Sequence, residues 1–466
     1  MLLPLCYNAI REKRKETHMK QVVYNRKPLG NSRFQWKQRD FALSTFNCIG
    51  RDMDLTVRNC VEAGFNLLEV GWGTHEEVWE AVEMCEKHGI DLIFQDLKYF
   101  GGMMFRHDDR PVDDDIIRQT VEKLKGKKHT VGYYVWDEPF CDYLFAEARR
   151  QSDILHEYDP EALLFSVFPP SYNPGPTWDN GEYPGAFEEY IKRLEPPVLS
   201  MDAYPVGNYC RLYDGLVYTD EKQLDDSPMW LDLTLARNLA RKYKLPLWFY
   251  YQACGVYKTE KLTFPMVRMM MYAGALYGAK GLQSYTLTGT CHCPKEGEDY
   301  PRNWTTLLAT GEKGEFFEDH KKIHAEFKAL GNTLMALDNR GVYHSDDLQV
   351  YGKYGEIYKG YADSISESEV LAGQLPGRTS VGEFSDGNGN VYLLVLNREF
   401  EKGLEAGIPL KGQYHIYEVS KADGKQRLTD TADALSISLA PGDAALFRVQ
   451  EGGEEPFTVE YRLEAE

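Results

Sequence analysis

An alternation constrains this chain most. From about Phe41 to Leu337, short apolar runs of strand character are separated by stretches of helical period. The runs are FALSTF, FNLLEVGW, IDLIFQDL, VGYYVWDE, ALLFSVF, VLSMDAY, LPLWFYYQ and GLQSYTL, eight in all. Between them, Val57, Cys60, Val61 and Gly64 recur at i, i+3, i+4 and i+7, as do Ile117, Thr120, Val121 and Leu124, and again Phe187, Tyr190, Ile191 and Leu194. Each set makes one apolar helix face. Asp113, Asp114 and Asp115 open the third helix and Lys123 and Lys125 close it, complementing the helix dipole, with Gly126 as the stop signal. Ile323, Phe327 and Leu330 mark the helix after the last strand. Eight such pairs predict an α/β fold, a closed (β/α)8 barrel, whose usual size is about 250 residues before loop insertions. The competing open, doubly wound sheet would carry a phosphate-binding turn, but no G-x-G-x-x-G follows the first strand and no P-loop occurs.

The whole chain has 466 residues, room for two to four domains at about 100 to 200 residues each. After residue 340 the pattern changes to short alternating runs, LQVYGKY, SVGEFSDGNGNVYLLVLNR, QYHIYEVS and AALFRV, with DGNGN as a hairpin signal. The expected division is an N-terminal extension over 1–38, the barrel over 39–338 and a C-terminal antiparallel β-sandwich over 339–466. The acidic tail EGGEEPFTVEYRLEAE reads as peripheral. With 53 basic against 72 acidic residues the net charge is −19, which argues against a nucleic-acid partner. Hydrophobic residues at 43% exclude a disordered chain, and no apolar run approaches the roughly 18 to 20 residues of a membrane helix. Nine scattered cysteines do not form a disulfide framework. The start, MLLPLCYNAIREKRKETHMKQ, lacks the order of a signal peptide, so the expected address is cytoplasmic, with either Met1 or Met19 as the first residue. A homo-oligomeric state is left open.

Active sites of β/α barrels form at the carboxyl ends of the strands. Those ends offer Asn47, then Glu69 and Trp72, Asp96, then Trp136, Asp137 and Glu138, then Asp202 and Tyr204, Gln252 and Tyr285. No His closes a strand and no H-E-x-x-H occurs. Cys291-His-Cys293 lacks the spacing and ligand count of a zinc site, so neither a metal nor another cofactor is expected. The run Met269-Met-Met271 reads as core filler.

The sharpest signal is Gly132-Tyr-Tyr-Val-Trp-Asp-Glu-Pro139, an apolar strand ending on two acids. Buried carboxyls cost free energy unless paired, protonated or used. On a regular strand Asp137 and Glu138 face opposite ways; both reach one pocket only if the strand ends there, which Pro139 encourages. A neighbouring Asp anion would raise the pKa of Glu138, as a general acid requires. The plainer reading makes both acids exposed loop residues or an ordinary ion pair. Trp72, Phe100, Trp136, Tyr204 and Tyr251 could pack against pyranose rings, and Arg302, Asn303 and Trp304 could close over substrate.

Here the chain resembles the barrel glycoside hydrolases of clan A, over most of the barrel and the β domain. Asp137-Glu138-Pro139 matches their fourth-strand Asn-Glu-Pro motif, which implies Glu138 as general acid/base. Ser200-Met-Asp-Ala-Tyr-Pro205 resembles their sixth-strand end. The run Tyr272 to Tyr285 resembles their last helix and strand, and Leu307-Leu-Ala-Thr-Gly-Glu with Phe327-Lys-Ala-Leu-Gly331 their closing helix. The implied partner is a small carbohydrate. The chain departs from the clan at Gln252, where the seventh strand should carry a nucleophilic Glu; an amide cannot form a glycosyl-enzyme. Three readings follow. Asp202 or Asp96 is the second acid; or Asp137 orients a substrate acetamido group, as the resemblance of this Asp-Glu pair to hexosaminidases implies; or the barrel binds sugar without cleaving it. A barrel lyase or isomerase would want a Lys or His at a strand end, and none is evident.

Overall fold

The structure, a computed structural model, describes residues 19–30, 33–46, 49–71, 73–96, 102–103, 112–172, 182–206, 227–255, 262–288, 304–350, 352–453 and 455–464. After β1 (Lys20–Arg26) the chain runs through β2 (Ala42–Thr45), α1 (Met53–Glu62), β3 (Leu67–Val70), α2 (His75–His88), β4 (Asp91–Phe94), β5 (Gly102–Met103), α3 (Asp114–Leu124), β6 (Thr130–Asp137) and α4 (Asp142–Tyr158). It continues with β7 (Leu163–Phe168), α5 (Tyr183–Leu194), β8 (Leu199–Ala203), α6 (Met229–Tyr243), β9 (Leu247–Gln252), α7 (Phe264–Leu276), β10 (Gly281–Tyr285) and α8 (Phe317–Ala336). All barrel pairings are parallel, and β4 meets β6 to close the ring. The eight apolar runs read from the sequence are the eight long strands of this barrel; the two-residue β5 adds a short edge beside the end of β6.

Side-chain alternation splits the strands between two cores. Phe46, Ile93, Tyr134, Phe165, Trp248 and Tyr250 fill the barrel, making edge-to-face contacts such as Tyr134 to Phe165 at 5.1 Å. Leu68, Leu92, Val135 and Leu164 face the helices, whose apolar stripes include Val57, Cys60, Ile117, Val121, Phe187 and Ile191. Val61 departs from its expected place on such a stripe: it is exposed. The helix ends follow local chemistry. Asp113 caps α3 by accepting from the Asp115 amide, and Thr74 with Glu77 forms a capping box on α2. Met269, Met270 and Met271 are core residues of α7.

The C-terminal domain comprises β11 (Asp338–His344), α9 (Gly352–Lys359), β12 (Thr379–Ser385), β13 (Val391–Asn397), β14 (Leu404–Val419), β15 (Gln426–Leu439), β16 (Ala444–Gln450) and β17 (Phe457–Leu463). Six strands form one antiparallel sheet in the order β11-β12-β13-β16-β14-β15. One face sets Tyr392, Leu394 and Leu396 into the same core as the barrel's outer layer. On the other, Leu393 and Val395 share a core with Ile408, Leu410, Leu435 and Ile437. These last come from the far half of the β14/β15 hairpin, beyond a register shift between Pro409 and Tyr414. LQVYGKY is not a strand: its end enters α9, because Tyr354, Ile357 and Tyr358 have helical spacing and pack on the barrel's outer core. DGNGN turns between β12 and β13 as expected. The acidic tail is not peripheral, because β17 pairs in parallel with β1 and buries Phe457 and Val459 beside Tyr24. Among the described residues no helix is long and apolar enough to cross a membrane.

Close packing of β6 on β7 depends on Gly132, where a Cβ would lie 2.3 Å from the Leu163 carbonyl oxygen. Gly132→Ala is expected to destabilise the fold by roughly 1–3 kcal/mol, measured by urea unfolding.

Candidate active site

The site is built from the end of β6. Tyr134 pairs with Phe165 of β7, but it is Trp136, two residues on, that pairs with the next residue, Ser166. This β-bulge sets Val135 and Trp136 on the same outer face, packed among the helices. Asp137 is thereby returned to the side that Tyr134 faces, and the Tyr134 hydroxyl donates to its Oδ1 at 2.7 Å. Without the extra residue, i and i+3 would point to opposite faces. Glu138 follows with a positive φ of 50°, a left-handed conformation that ends the strand and costs on the order of 1 kcal/mol for a residue with a side chain. Two consecutive acids thus reach one place.

The carboxyl of Asp202, the buried fourth residue of β8, interacts with the Glu138 side chain. Burial raises the pKa of Asp202, the bond with Glu138 holds it down, and the nearby Asp137 charge pushes it up. Asp137 is half-buried; loss of solvation raises its pKa and the Tyr134 bond opposes this. Asp202 therefore keeps its proton at pH values where a solvated carboxylate has lost its own. Two further carboxyls stand behind. Glu69, on β3, accepts from Ser44 Oγ at 2.5 Å, Gln283 Nε2 at 2.8 Å and the Tyr250 hydroxyl; burial still pushes it up to about 6, and the Asp137 charge adds to this. Asp232, fully buried on α6, accepts from the Ser171 amide at 3.3 Å and is raised well above the usual carboxylate range by burial, with Asp202 adding to it.

The other candidates divide. Tyr204 and Tyr285 stack at 4.2 Å beside the acids, Phe46 stacks on Tyr285 at 5.6 Å, and the Tyr204 side chain helps to hold the Asp202 pKa down. Trp136 and Tyr251 lie in the outer core rather than the barrel interior, Trp136 because of the bulge. Asp96 is taken up by His75, whose Nδ1 lies 2.6 Å from its Oδ2. Gln252 is fully buried and staples the loop after β8: its Nε2 donates to the carbonyls of Val206 and Cys254, and its Oε1 accepts from the Val206 amide. An amide carries both a donor and an acceptor, whereas a carboxylate only accepts. Trp304 is half-buried against the outer core. Asn47, Trp72, Phe100, Arg302, Asn303 and the Cys291-His-Cys293 run lie outside the described residues. Among the described residues no group of three or more His, Cys, Asp or Glu is arranged to hold a metal ion. Sequence reasoning missed Tyr134 and Asp232. The signal for Asp232 was a lone acid in the apolar helical run MWLDLTLA.

No protein-family model matches the sequence, and no curated protein does. Among solved structures, the chain is similar to a family 39 glycoside hydrolase from the gut symbiont Bacteroides cellulosilyticus WH2, with 13% identity, 88% of this chain and 81% of that one covered, and a TM-score of 0.46. It is similar to a glycoside hydrolase family 30 subfamily 8 xylanase from Clostridium acetobutylicum, with 10% identity, 92% and 98% covered, and a TM-score of 0.41. A third is a Lactobacillus rhamnosus β-glucuronidase, with 11% identity, 61% and 49% covered, and a TM-score of 0.43.

Gln252→Glu would face two carbonyl oxygens with a buried carboxylate. It is expected to cost roughly 3–5 kcal/mol in chemical denaturation and to create no nucleophile. Asp202 titrates higher folded than unfolded, so the native state binds the extra proton and stability falls as pH rises from the ordinary value of 3.8 through the raised one. Asp202→Asn is therefore expected to raise the melting temperature at pH 8, by roughly 2 °C or more, and to lose that advantage near pH 3.5, as calorimetry at both pH values would record.

Proposed function

We propose that the chain is an O-glycosyl hydrolase acting on small oligosaccharides or glycosides, with Glu138 as general acid. The Glu138–Asp202 pair carries this reading. A glycosidic oxygen leaves as an alcohol only if protonated as its bond to the anomeric carbon breaks, so the enzyme must hold a proton at working pH. The proton held on the pair meets that need. Glu138 gives it to the leaving oxygen, which leaves both carboxyls of the pair ionised until the water step. Water then adds to the sugar and returns one proton to the pair.

Asp202, buried beside Glu138, is assigned to holding the proton that Glu138 delivers. Asp137, turned inward and anchored by Tyr134, serves as the second carboxylate. The same anchoring favours a second reading, in which Asp137 orients a 2-acetamido group whose oxygen attacks the anomeric carbon. Preference for N-acetylhexosaminides over the parent hexosides in a glycoside panel would select the second reading.

Glu138→Gln is expected to lower kcat on alkyl glycosides by about 10²–10⁴. It should lower it far less on dinitrophenyl glycosides, whose leaving group needs no proton. A broad panel showing sugar binding but no turnover by the native chain would overturn the hydrolase reading in favour of a carbohydrate-binding barrel.

A further inference from the structure

We infer that a cavity at the opposite, amino-terminal end of the barrel binds a small organic anion bearing phosphate or carboxylate groups. The cavity has a volume of about 400 Å³ and lies where β1 and β17 meet the barrel floor. Arg26, Lys27, Lys244 and Lys280 line it, together with Trp36 and Tyr461. A second, neighbouring pocket of about 460 Å³ shares the Lys244 and Lys280 walls and adds Arg237, Arg241 and Arg340. Against these seven cations the two pockets contain one carboxylate, Asp338, among the described residues.

The imbalance runs against the rest of the molecule. The chain has 72 acids to 53 bases, and most of its described arginines and lysines pair with a carboxylate. Here three cations are already held. Arg26 donates to the carbonyls of Asp386 and Ala336 and lies 3.3 Å from Asp338. Lys280 donates to the carbonyls of Leu334 and Leu337, and Arg237 pairs with Asp363. Lys27, Lys244, Arg241 and Arg340 have no carboxylate partner among the described residues. Burial lowers the pKa of Arg241 and the nearby Arg237 and Arg340 charges add to this, while the Asp363 charge opposes them. Burial likewise brings Lys280 down to about 8. An anion in the cavity offsets these positive charges.

Half-buried Trp36, set edge-on to Trp248 at 5.7 Å, and Tyr461 offer flat surfaces for the body of the ligand. The cavity's size suits a phosphorylated sugar or a similar compound. The site lies beneath the start of β9, whose far end carries Gln252 at the active-site mouth. At about 3.3 Å per residue the two ends are roughly 17 Å apart, so binding here is separate from the acid cluster.

The test is calorimetric titration and thermal melting of the full chain with inorganic pyrophosphate, glucose 6-phosphate and citrate as probes, and glucose as the neutral control. Saturable binding of at least one anionic probe is expected, with a rise in melting temperature that glucose does not produce. Lys27 and Lys244 are exposed, so a Lys27→Gln/Lys244→Asn double variant should fold and should weaken binding by about tenfold or more. Lys27→Arg should retain it. Glu138→Gln should leave it unchanged, which keeps this proposal distinct from the hydrolase reading. No heat and no thermal shift with any anionic probe overturns the inference. So does an unchanged affinity in the double variant, or binding of a DNA duplex without binding of the small probes.

Discussion

In β6 two successive side chains, Val135 and Trp136, turn toward the helices where a regular strand would alternate. From that one extra residue the arrangement at the barrel mouth follows. It returns Asp137 to the interior, where the Tyr134 hydroxyl holds it, and it leaves Glu138 to complete the turn with a left-handed backbone. Glu138 then meets Asp202 from β8, and Asp202 lies beside Tyr204, which stacks on Tyr285 from β10. Residues from three strands are therefore oriented by a local irregularity in one of them.

Gathering carboxyls in this way works against folding. Glu69, Asp137, Asp202 and Asp232 all titrate above their ordinary range, and burial is the largest cause for each. The barrel tolerates them because each has hydrogen-bond donors or neighbouring side chains that oppose its raised pKa, and because a continuous aromatic and aliphatic core surrounds them. The same burial that weakens the fold at neutral pH keeps protons available there, so stability and acid chemistry draw on one cluster in opposite directions.

The barrel was legible because eight apolar runs alternate with helical faces, a pattern that few architectures satisfy. The acids at the strand ends were legible as a set, since strand direction decides which end gathers the loops. Which of them meet was not. A bulge has no mark in the spacing of Tyr134, Val135, Trp136 and Asp137, so the sequence reading placed Trp136 in the pocket and could bring Asp137 and Glu138 together only by ending the strand. Gln252 read as a missing nucleophile because its position suggested chemistry; its two bonds to Val206 show why an amide stands there. In the β domain, the run LQVYGKY suggested a strand, and the helical spacing of Tyr354, Ile357 and Tyr358 prevailed.

The parallel pairing of β1 with β17 joins segments at opposite ends of the described chain; Gln21 and Glu460, hydrogen-bonded across it, are 439 residues apart. No hairpin can prepare such a contact, and its closure entropy is among the largest the chain must meet. During synthesis β1 emerges before the barrel and waits as an open edge until β17 has been made. The cationic cavity takes walls from both strands, Arg26 from one and Tyr461 from the other. It therefore exists only once β17 has docked on β1, and an anion held there would act as a clasp on that contact.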